Sequence, residues 1–265
     1  MNSQQRVLVK VGGSILHEDG LVTSLCHELK DIVLSGYQVV LVHGGSKAIH
    51  EALHLYGVTS TFLDGLRVTT AAAMKVIEMV LCGQINQLLV RKLNSLGVNA
   101  IGLSGAHNHL FHCEPYSSEH GFVGEIKSLN TTYLEHLSQF QGSLIPVIAT
   151  IGVDDAGQAY NINADLAASR LAHALKVKKL IYMTDQEGIY NKEGHVHHQL
   201  SKSELSMLID EKIVTNGMLV KAKSILFALE RNFKEVMVLS GQKKNSLIEA
   251  VLYQKNGGTV CVNEI

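Results

Sequence analysis

The stretch VLVKVGGSIL, residues 7–16, is echoed by VVLVHGGSKAI, residues 39–49. Each is a β-branched run, then one basic or imidazole side chain (Lys10 or His43), then Gly-Gly-Ser, then an apolar-periodic segment. The order predicts strand, glycine corner and helix, built twice. Between the copies, LVTSLCHELKDIVLSG puts Leu21, Leu25, Leu29, Ile32 and Val33 on one helical face, with Gly36 placed to end the helix. Strand, helix and strand of these lengths predict a right-handed βαβ unit with two parallel neighbours. Both corners then emerge side by side at the carboxyl edge of one sheet, where open α/β sheets bind ligands.

The alternation continues outward from this unit. A long helical segment is predicted over about 71–96 with a kink at Gly83, followed by the strand VNAIGLSG. The polar, His-rich stretch HLFHCEPYSSEHGFVGEIKSL predicts a β-hairpin, and SLIPVIATIGV a single buried strand. ADLAASRLAHAL is a small-residue helix able to pack closely on a sheet. KLIYMTD and EVMVLSG predict parallel strands, separated by helices starting at Ser203 and Gly217, and GGTVCV a last strand. With no linker or low-complexity tract, the expectation is two lobes on one continuous sheet, dividing near Asn163 to Ser169.

The 265 residues suffice for one large α/β domain, and 46% hydrophobic against 18% charged residues is the balance of a folded chain. A formal net charge of −1 offers no basic field for nucleic acid or acidic membranes. The four cysteines, Cys26, Cys82, Cys113 and Cys261, form no C-x-x-C pair, so neither a zinc knuckle nor a disulfide framework is indicated. MNSQQR lacks an apolar signal core, and the expectation is that no apolar run approaches the roughly 20 residues of a membrane span. The expectation is a cytoplasmic, soluble protein.

A glycine pair between strand and helix lets backbone N–H groups face an anion, although an isolated corner is equally a tight turn. Lys10, read as the last residue of its strand, suits phosphate as a point charge. No Walker A loop and no G-x-G-x-x-G fingerprint occurs. His43 reads as a strand-end imidazole bonded to backbone, with a general base as the alternative. Arg67, in the DGLRVT loop, is either a carboxylate-binding fork or a surface side chain. Asn161, Asn163 and Asp165 sit at a strand-to-helix junction, where Asp165 could serve simply in the first turn. Lys221 and Lys223 are two positions apart on one helix and therefore face different ways, one of them inward or both solvated. His195, His197 and His198, with no carboxylate or Cys at ligand spacing beside them, read as surface turn and strand rather than a metal site.

Taken in order, VLVKVGGS, LVHGGS, DGLRVT, IPVIATIGVDDAGQAYNINAD, MTDQEGIY and TNGMLVKA resemble the amino-acid kinase family, most closely its N-acetylglutamate kinase branch. The likeness spans Val7 to Val262. It implies a three-layer αβα sandwich with a mostly parallel central sheet, like that of carbamate kinase. It also implies one domain over 1–265, with a substrate and dimerisation lobe at about 1–165 and an ATP-binding lobe at about 166–265. The implied activity is ATP-dependent phosphorylation of the γ-carboxylate of N-acetyl-L-glutamate in arginine biosynthesis, Mg²⁺ arriving with ATP and no metal site built by the protein. A related acyl amino acid (N-succinylglutamate or a carrier-linked aminoadipate) as acceptor, or a non-catalytic nucleotide-binding regulator, are the alternatives.

By matching position, the resemblance makes Lys10 and Lys221 the pair that stabilises the transferring phosphoryl group, with Asp165 holding both. Gly44, Gly45, Ser46, Arg67 and Asn161 match substrate-binding positions. Gly12 and Gly13 match the phosphate path, and Asp185, Gly188, Ile189, Tyr190 and Thr215 the nucleotide segments. Four residues depart from the family pattern. Ser46 stands for a glycine, His107 for an aspartate, Gln186 for an apolar residue, and Glu187 for a small residue or proline, the last adding a carboxylate near the nucleotide. Arginine-inhibited members carry an N-terminal helix that interlaces dimers into a hexameric ring. Only six residues precede Val7 here, about 9 Å even if helical, so the expectation is a homodimer insensitive to arginine.

Overall fold

Strand β1 (Arg6–Val11) is buried along its whole length, as a strand covered on both faces must be. A computed structural model describes residues 6–137 and 144–264 of the chain. Residues 1–5, and with them the expectation drawn from the segment ahead of Val7, lie outside the described residues. The first corner turns into a single helical turn, α1 (Gly13–Leu16), and then α2 (Asp19–Leu34). Leu25, Leu29 and Ile32 are buried on the predicted face. Gly36 closes α2 at φ +88°, donating to Val33 O at 2.9 Å while Tyr37 N–H donates to Ile32 O at 3.3 Å. That paired capping needs a left-handed residue, which is why glycine stands there. The chain returns as β2 (Gln38–His43), parallel to β1 with Val11 opposite His43, and the second corner opens α3 (Ser46–Leu55).

A hairpin follows, β3 (Phe62–Leu63) and β4 (Leu66–Arg67), joined by Asp64 and Gly65, both at positive φ as a two-residue hairpin turn requires. The predicted long helix is α4 (Ala71–Glu78) and α5 (Asn86–Ser95) joined through a π-helical segment, Met79–Ile85. Gly83 lies in those wider turns, so the expected kink is a π segment. The run Ala71–Ser95 is long and apolar enough to cross a membrane by length and composition, against the sequence expectation that no run would be. Half of its most apolar window is buried inside the chain, with Val76, Ile77, Leu81 and Leu89 in the core, which is the packing of a core helix.

Next come β5 (Ala100–Ser104), the predicted hairpin β6 (Phe111–Pro115) and β7 (Gly124–Leu129), and α6 (Thr132–Leu137). The stretch read as one buried strand is two: β8 (Ile145–Ala149) and β9 (Ile151–Val153), broken at Thr150 and belonging to different sheets. After β10 (Ala159–Asn161) the chain forms α7 (Ala164–Ala174), β11 (Lys179–Thr184), β12 (Gln199–Ser201), α8 (Lys202–Asp210) and α9 (Asn216–Leu229). It ends with β13 (Glu235–Ser240), α10 (Ser246–Leu252) and β14 (Thr259–Val262).

Eight strands form the main sheet, in the order β12-β14-β13-β11-β1-β2-β8-β5, parallel throughout except between β13 and β14. Alternate residues of β1 serve opposite faces. Val7, Val9 and Val11 join a core with α2, α4, α5 and α10; Leu8 joins a second core with α7, α8 and α9. Helices on both faces of one sheet give the three layers expected. A separate four-stranded sheet, β10-β9-β6-β7, extends the second core, with Phe111, Ile126 and Tyr160 buried there.

Candidate active site

Lys10 is one residue from the end of β1, not the last as the sequence reading had it, and falls on the face covered by α7 and α9. Its Nζ lies 2.8 Å from Asp165 Oδ1. The same oxygen takes Lys221 Nζ at 3.0 Å. All three side chains are buried: Lys10 is 7% exposed, Asp165 6% and Lys221 5%. Capping of α7 is done by Asn163, whose side chain accepts from Asp165 N at 2.9 Å and Leu166 N at 3.2 Å. Asp165 is therefore free for the lysines. On α9 it is Lys221 that turns inward, while Lys223 is exposed.

The electrostatics of this cluster are unequal. Burial alone would raise the Asp165 pKa, but the charges of Lys10 and then Lys221 outweigh it and hold the carboxyl at about 2. Burial pushes Lys221 down to about 8; Asp165 opposes that and Lys10 adds to it. One carboxylate gains two cations, whereas Lys221 gains a shared carboxylate and faces another ammonium. The cluster carries net positive charge out of water.

Two cavities meet at it. One, of about 740 Å³, is lined by Lys10, Gly13, Gly44, Gly45, Ser46, Arg67, Asn161 and Asp165. The other, of about 420 Å³, is lined by Asp165, Lys221, Asp185, Tyr190 and Thr215. Asp165 and Gly217 line both. Of the residues matched to catalytic, substrate, phosphate or nucleotide positions, Gly12, Gly188 and Ile189 line neither. Gly12 N–H donates to Met183 O at 3.0 Å. Gly188 is packed where a Cβ would meet Thr259 Oγ1, and Ile189 N–H donates to that same oxygen at 2.8 Å. The packing of Gly188 and the Ile189 bond hold the loop that carries Tyr190.

The doubled glycine corner has a steric reason. A Cβ on Gly13 would sit 2.5 Å from Ser46 N and 2.9 Å from Gly45 C, so the first corner packs directly on the backbone of the second. A Cβ on Gly45 would overlap Ile85 and Leu81, which the π segment presents. Ser46 opens α3 and is absent from the positive-φ residues, so its side chain is accommodated. His43 is wholly buried, and burial pushes its pKa down to about 4. Its Nδ1 lies 3.1 Å from Gly44 O, and its Nε2 lies 3.1 Å from Asn86 Nδ2, which also donates to Val147 O at 2.8 Å. The imidazole is a neutral post beneath the second corner, bonded to backbone.

Arg67, expected in a loop, is in strand β4 and buried. Its partners among the described residues are uncharged: Ser60 Oγ at 2.7 Å, Ser46 O at 3.4 Å and the Phe62 ring at 4.6 Å. A buried guanidinium without a carboxylate, opening on a cavity, suits an anionic guest. Asn161 ends β10 and donates to Thr69 Oγ1 at 3.2 Å. His107 Nδ1 accepts from Ser104 N–H at 2.9 Å, a bond a carboxylate oxygen could equally make. Glu187, expected to add a carboxylate near the nucleotide, is exposed and lines neither cavity, unlike Gln186. His195, His197 and His198 belong to no metal-holding group among the described residues.

Sequence reasoning gave no binding role to Gly217 and Met218, although both lie in the quoted block TNGMLVKA, nor to Phe62, for which no signal existed. Chemically, the two cavities provide one guest site on each side of a carboxylate flanked by two ammonium groups. That arrangement stabilises negative charge passing from one cavity to the other.

Comparison with known proteins agrees over nearly the full chain. The family model described as Amino acid kinase family matches residues 5–240. Acetylglutamate kinase of Clostridioides difficile (strain 630) is 37% identical over 262 residues, covering 97% of this chain and 91% of the relative. Acetylglutamate kinase of Aquifex aeolicus (strain VF5) is 36% identical, covering 95% and 90%. Among solved structures, smu.665 from Streptococcus mutans UA159 superposes with a TM-score of 0.83 at 24% identity, covering 98% of this chain and 99% of that one. Giardia carbamate kinase superposes at 0.70 and 15% identity, covering 99% and 100%, and shares the fold. On the family match and the near-complete span of these relatives, the chain belongs to the amino acid kinase family.

Proposed function

We propose that the chain transfers the γ-phosphoryl group of ATP to the γ-carboxylate of N-acetyl-L-glutamate, giving N-acetyl-L-glutamyl 5-phosphate and ADP, as a step of arginine biosynthesis. The observation that carries this is Asp165 Oδ1 holding one lysine of each cavity, Lys10 at 2.8 Å and Lys221 at 3.0 Å. The relatives named acetylglutamate kinase support the choice of acceptor. In this reading the acid occupies the Arg67 cavity and the nucleotide the Tyr190 cavity.

The reacting carboxylate is ionised at neutral pH, so its oxygen attacks phosphorus without a general base, and the bond from phosphorus to the ADP oxygen breaks. His43 is not placed to move a proton, since Gly44 O and Asn86 Nδ2 occupy its two ring nitrogens and it lines neither cavity. What the reaction requires is positive potential against crowded anions, and in-line alignment. Lys10 meets the charge on the acceptor side and Lys221 that on the leaving side, while Asp165 sets their separation. Arg67 and Asn161 orient the acid, with the N–H groups of the Gly44–Ser46 corner beside it. Asp185, Tyr190 and Thr215 hold the nucleotide.

Among the described residues no three His, Cys, Asp or Glu side chains are grouped to hold a metal, and Asp165 is already engaged by its lysines. This donor set fits Mg²⁺ held by phosphate oxygens and water, with Asp185 the carboxylate in reach of that cavity. When bound, the ion neutralises phosphate charge. We read the protein as cytoplasmic and homodimeric, joined through the helix run from Ala71 to Ser95, where Met79 is 50% exposed. Hydroxylamine trapping of the acyl phosphate tests the function. Hydroxamate should form with N-acetylglutamate and ATP in preference to N-succinylglutamate, glutamate or aspartate. Preference for another acid would overturn the acceptor, and no acid-dependent ADP release would overturn the kinase reading.

A further inference from the structure

We propose that Tyr182 is a positioning residue, which fixes Asp165 and Lys221 relative to each other by bonding to the helices that carry them. Tyr182 is on β11 directly opposite Lys10, in the same register and therefore on the same face of the sheet. It is 0% exposed and lines neither cavity, so it touches no guest. Its hydroxyl donates to the Asp165 carbonyl at 3.2 Å, in the first turn of α7. Ser224 Oγ lies 3.0 Å from that hydroxyl and 2.7 Å from the Lys221 carbonyl, on α9. Lys221 Nζ stands 5.0 Å from the centroid of the Tyr182 ring, within cation–π range.

A phenol buried for packing alone would do no better than phenylalanine, because its hydroxyl loses water and must find new partners. Here those partners are the Asp165 carbonyl and Ser224 Oγ, and Ser224 Oγ in turn reaches the Lys221 carbonyl, so the contacts join the two residues of the 3.0 Å ion pair. Burial raises the phenol's pKa well above its ordinary value, so the group stays protonated and keeps its donor. Phosphoryl transfer by charge stabilisation depends on where the ammonium groups sit, and a sub-ångström misplacement is costly there. Tyr182 and Ser224 form a two-link brace between α7 and α9, at the level of the ion cluster.

The inference rests on the phosphotransfer reading, and its test separates the two. Wild-type hydroxamate formation tests the reading; variants measured against wild type test the brace. Tyr182→Phe and Ser224→Ala should each lower kcat about tenfold, with both KM values within about twofold of wild type. The double variant should be close to either single one, since both remove the same brace. A crystal structure of Tyr182→Phe should show the Lys221–Asp165 pair displaced from its 3.0 Å contact. Should Tyr182→Phe fail to fold, Ser224→Ala alone carries the kinetic test. Turnover within twofold of wild type, losses that multiply in the double variant, or an unmoved ion pair would each overturn the proposal.

Discussion

Lys221→Met separates what the cluster does for activity from what it does for stability. Methionine is unbranched and flexible enough to occupy the lysine's path without charge. Burial lowers the Lys221 pKa from 10.5 to about 8, so keeping it charged at neutral pH costs the fold roughly 3 kcal/mol. Removing it relieves that cost but takes one of two cations from Asp165, which keeps Lys10 at 2.8 Å and is not left alone in the interior. That cost is already net of the Asp165 attraction, and replacing a buried charge by an apolar side chain is often neutral or stabilising. We expect Lys221→Met to melt within a few degrees of wild type, or higher, at about 2–4 °C per kcal/mol. Turnover should fall by about 10²-fold or more, from lost charge stabilisation in the transition state. Any stability gain should shrink as pH rises from 8 towards 10.5, because the wild-type lysine then loses its charge in the folded state first. Asp165→Asn should behave oppositely, leaving two ammonium groups face to face and lowering Tm. Scanning calorimetry alongside the hydroxamate assay reads both quantities. A loss of more than about 5 °C in Lys221→Met, or turnover within tenfold of wild type, would refute this reasoning.

Arg67→Ala should raise KM for N-acetylglutamate about 10-fold or more while leaving KM for ATP nearly unchanged, since its guanidinium opens on the acid cavity alone; equal rises would indicate a folding role. Because Lys221 works as an ammonium and its pKa is about 8, kcat/KM should fall on the alkaline side with a midpoint near that value; a flat profile to pH 10 would exclude Lys221 as the charge that matters. Gly13→Ala should lose most activity, because the added Cβ would meet Ser46 N at 2.5 Å and force the corners apart; wild-type kinetics would show that their close approach is dispensable.

The sequence carried the frame of the sheet because β1, β2, β11 and β13 are largely apolar runs ending at glycine or polar corners, and α2 shows its apolar face at helical spacing. Thr150 escaped notice: a β-branched residue inside an apolar run gives no sign that Ile145–Ala149 and Ile151–Val153 part into different sheets. The π segment is likewise invisible, since i, i+3 and i, i+4 spacing does not distinguish it over Met79–Ile85. At the site, family resemblance named Lys10, Asp165 and Lys221, but spacing alone could not choose Asn163 over Asp165 as the cap, nor Lys221 over Lys223 as the inward lysine. Packing decides both. Gly188 and Ile189 sit in a motif of which Asp185, Gln186 and Tyr190 line the cavity. Tyr182 reads in sequence as one more apolar strand residue, and only its hydrogen bonds to two helices distinguish it.

A crystal structure with N-acetylglutamate and a non-hydrolysable ATP analogue with Mg²⁺ would measure the arrangement itself. The acid carboxylate should lie about 3–3.5 Å from the γ-phosphorus, in line with the leaving oxygen. Lys10 should stand on the acid side of that phosphorus and Lys221 on the nucleotide side, both still bound to Asp165. A γ-phosphate resting away from the two lysines, or the acid bound in the Tyr190 cavity, would contradict it.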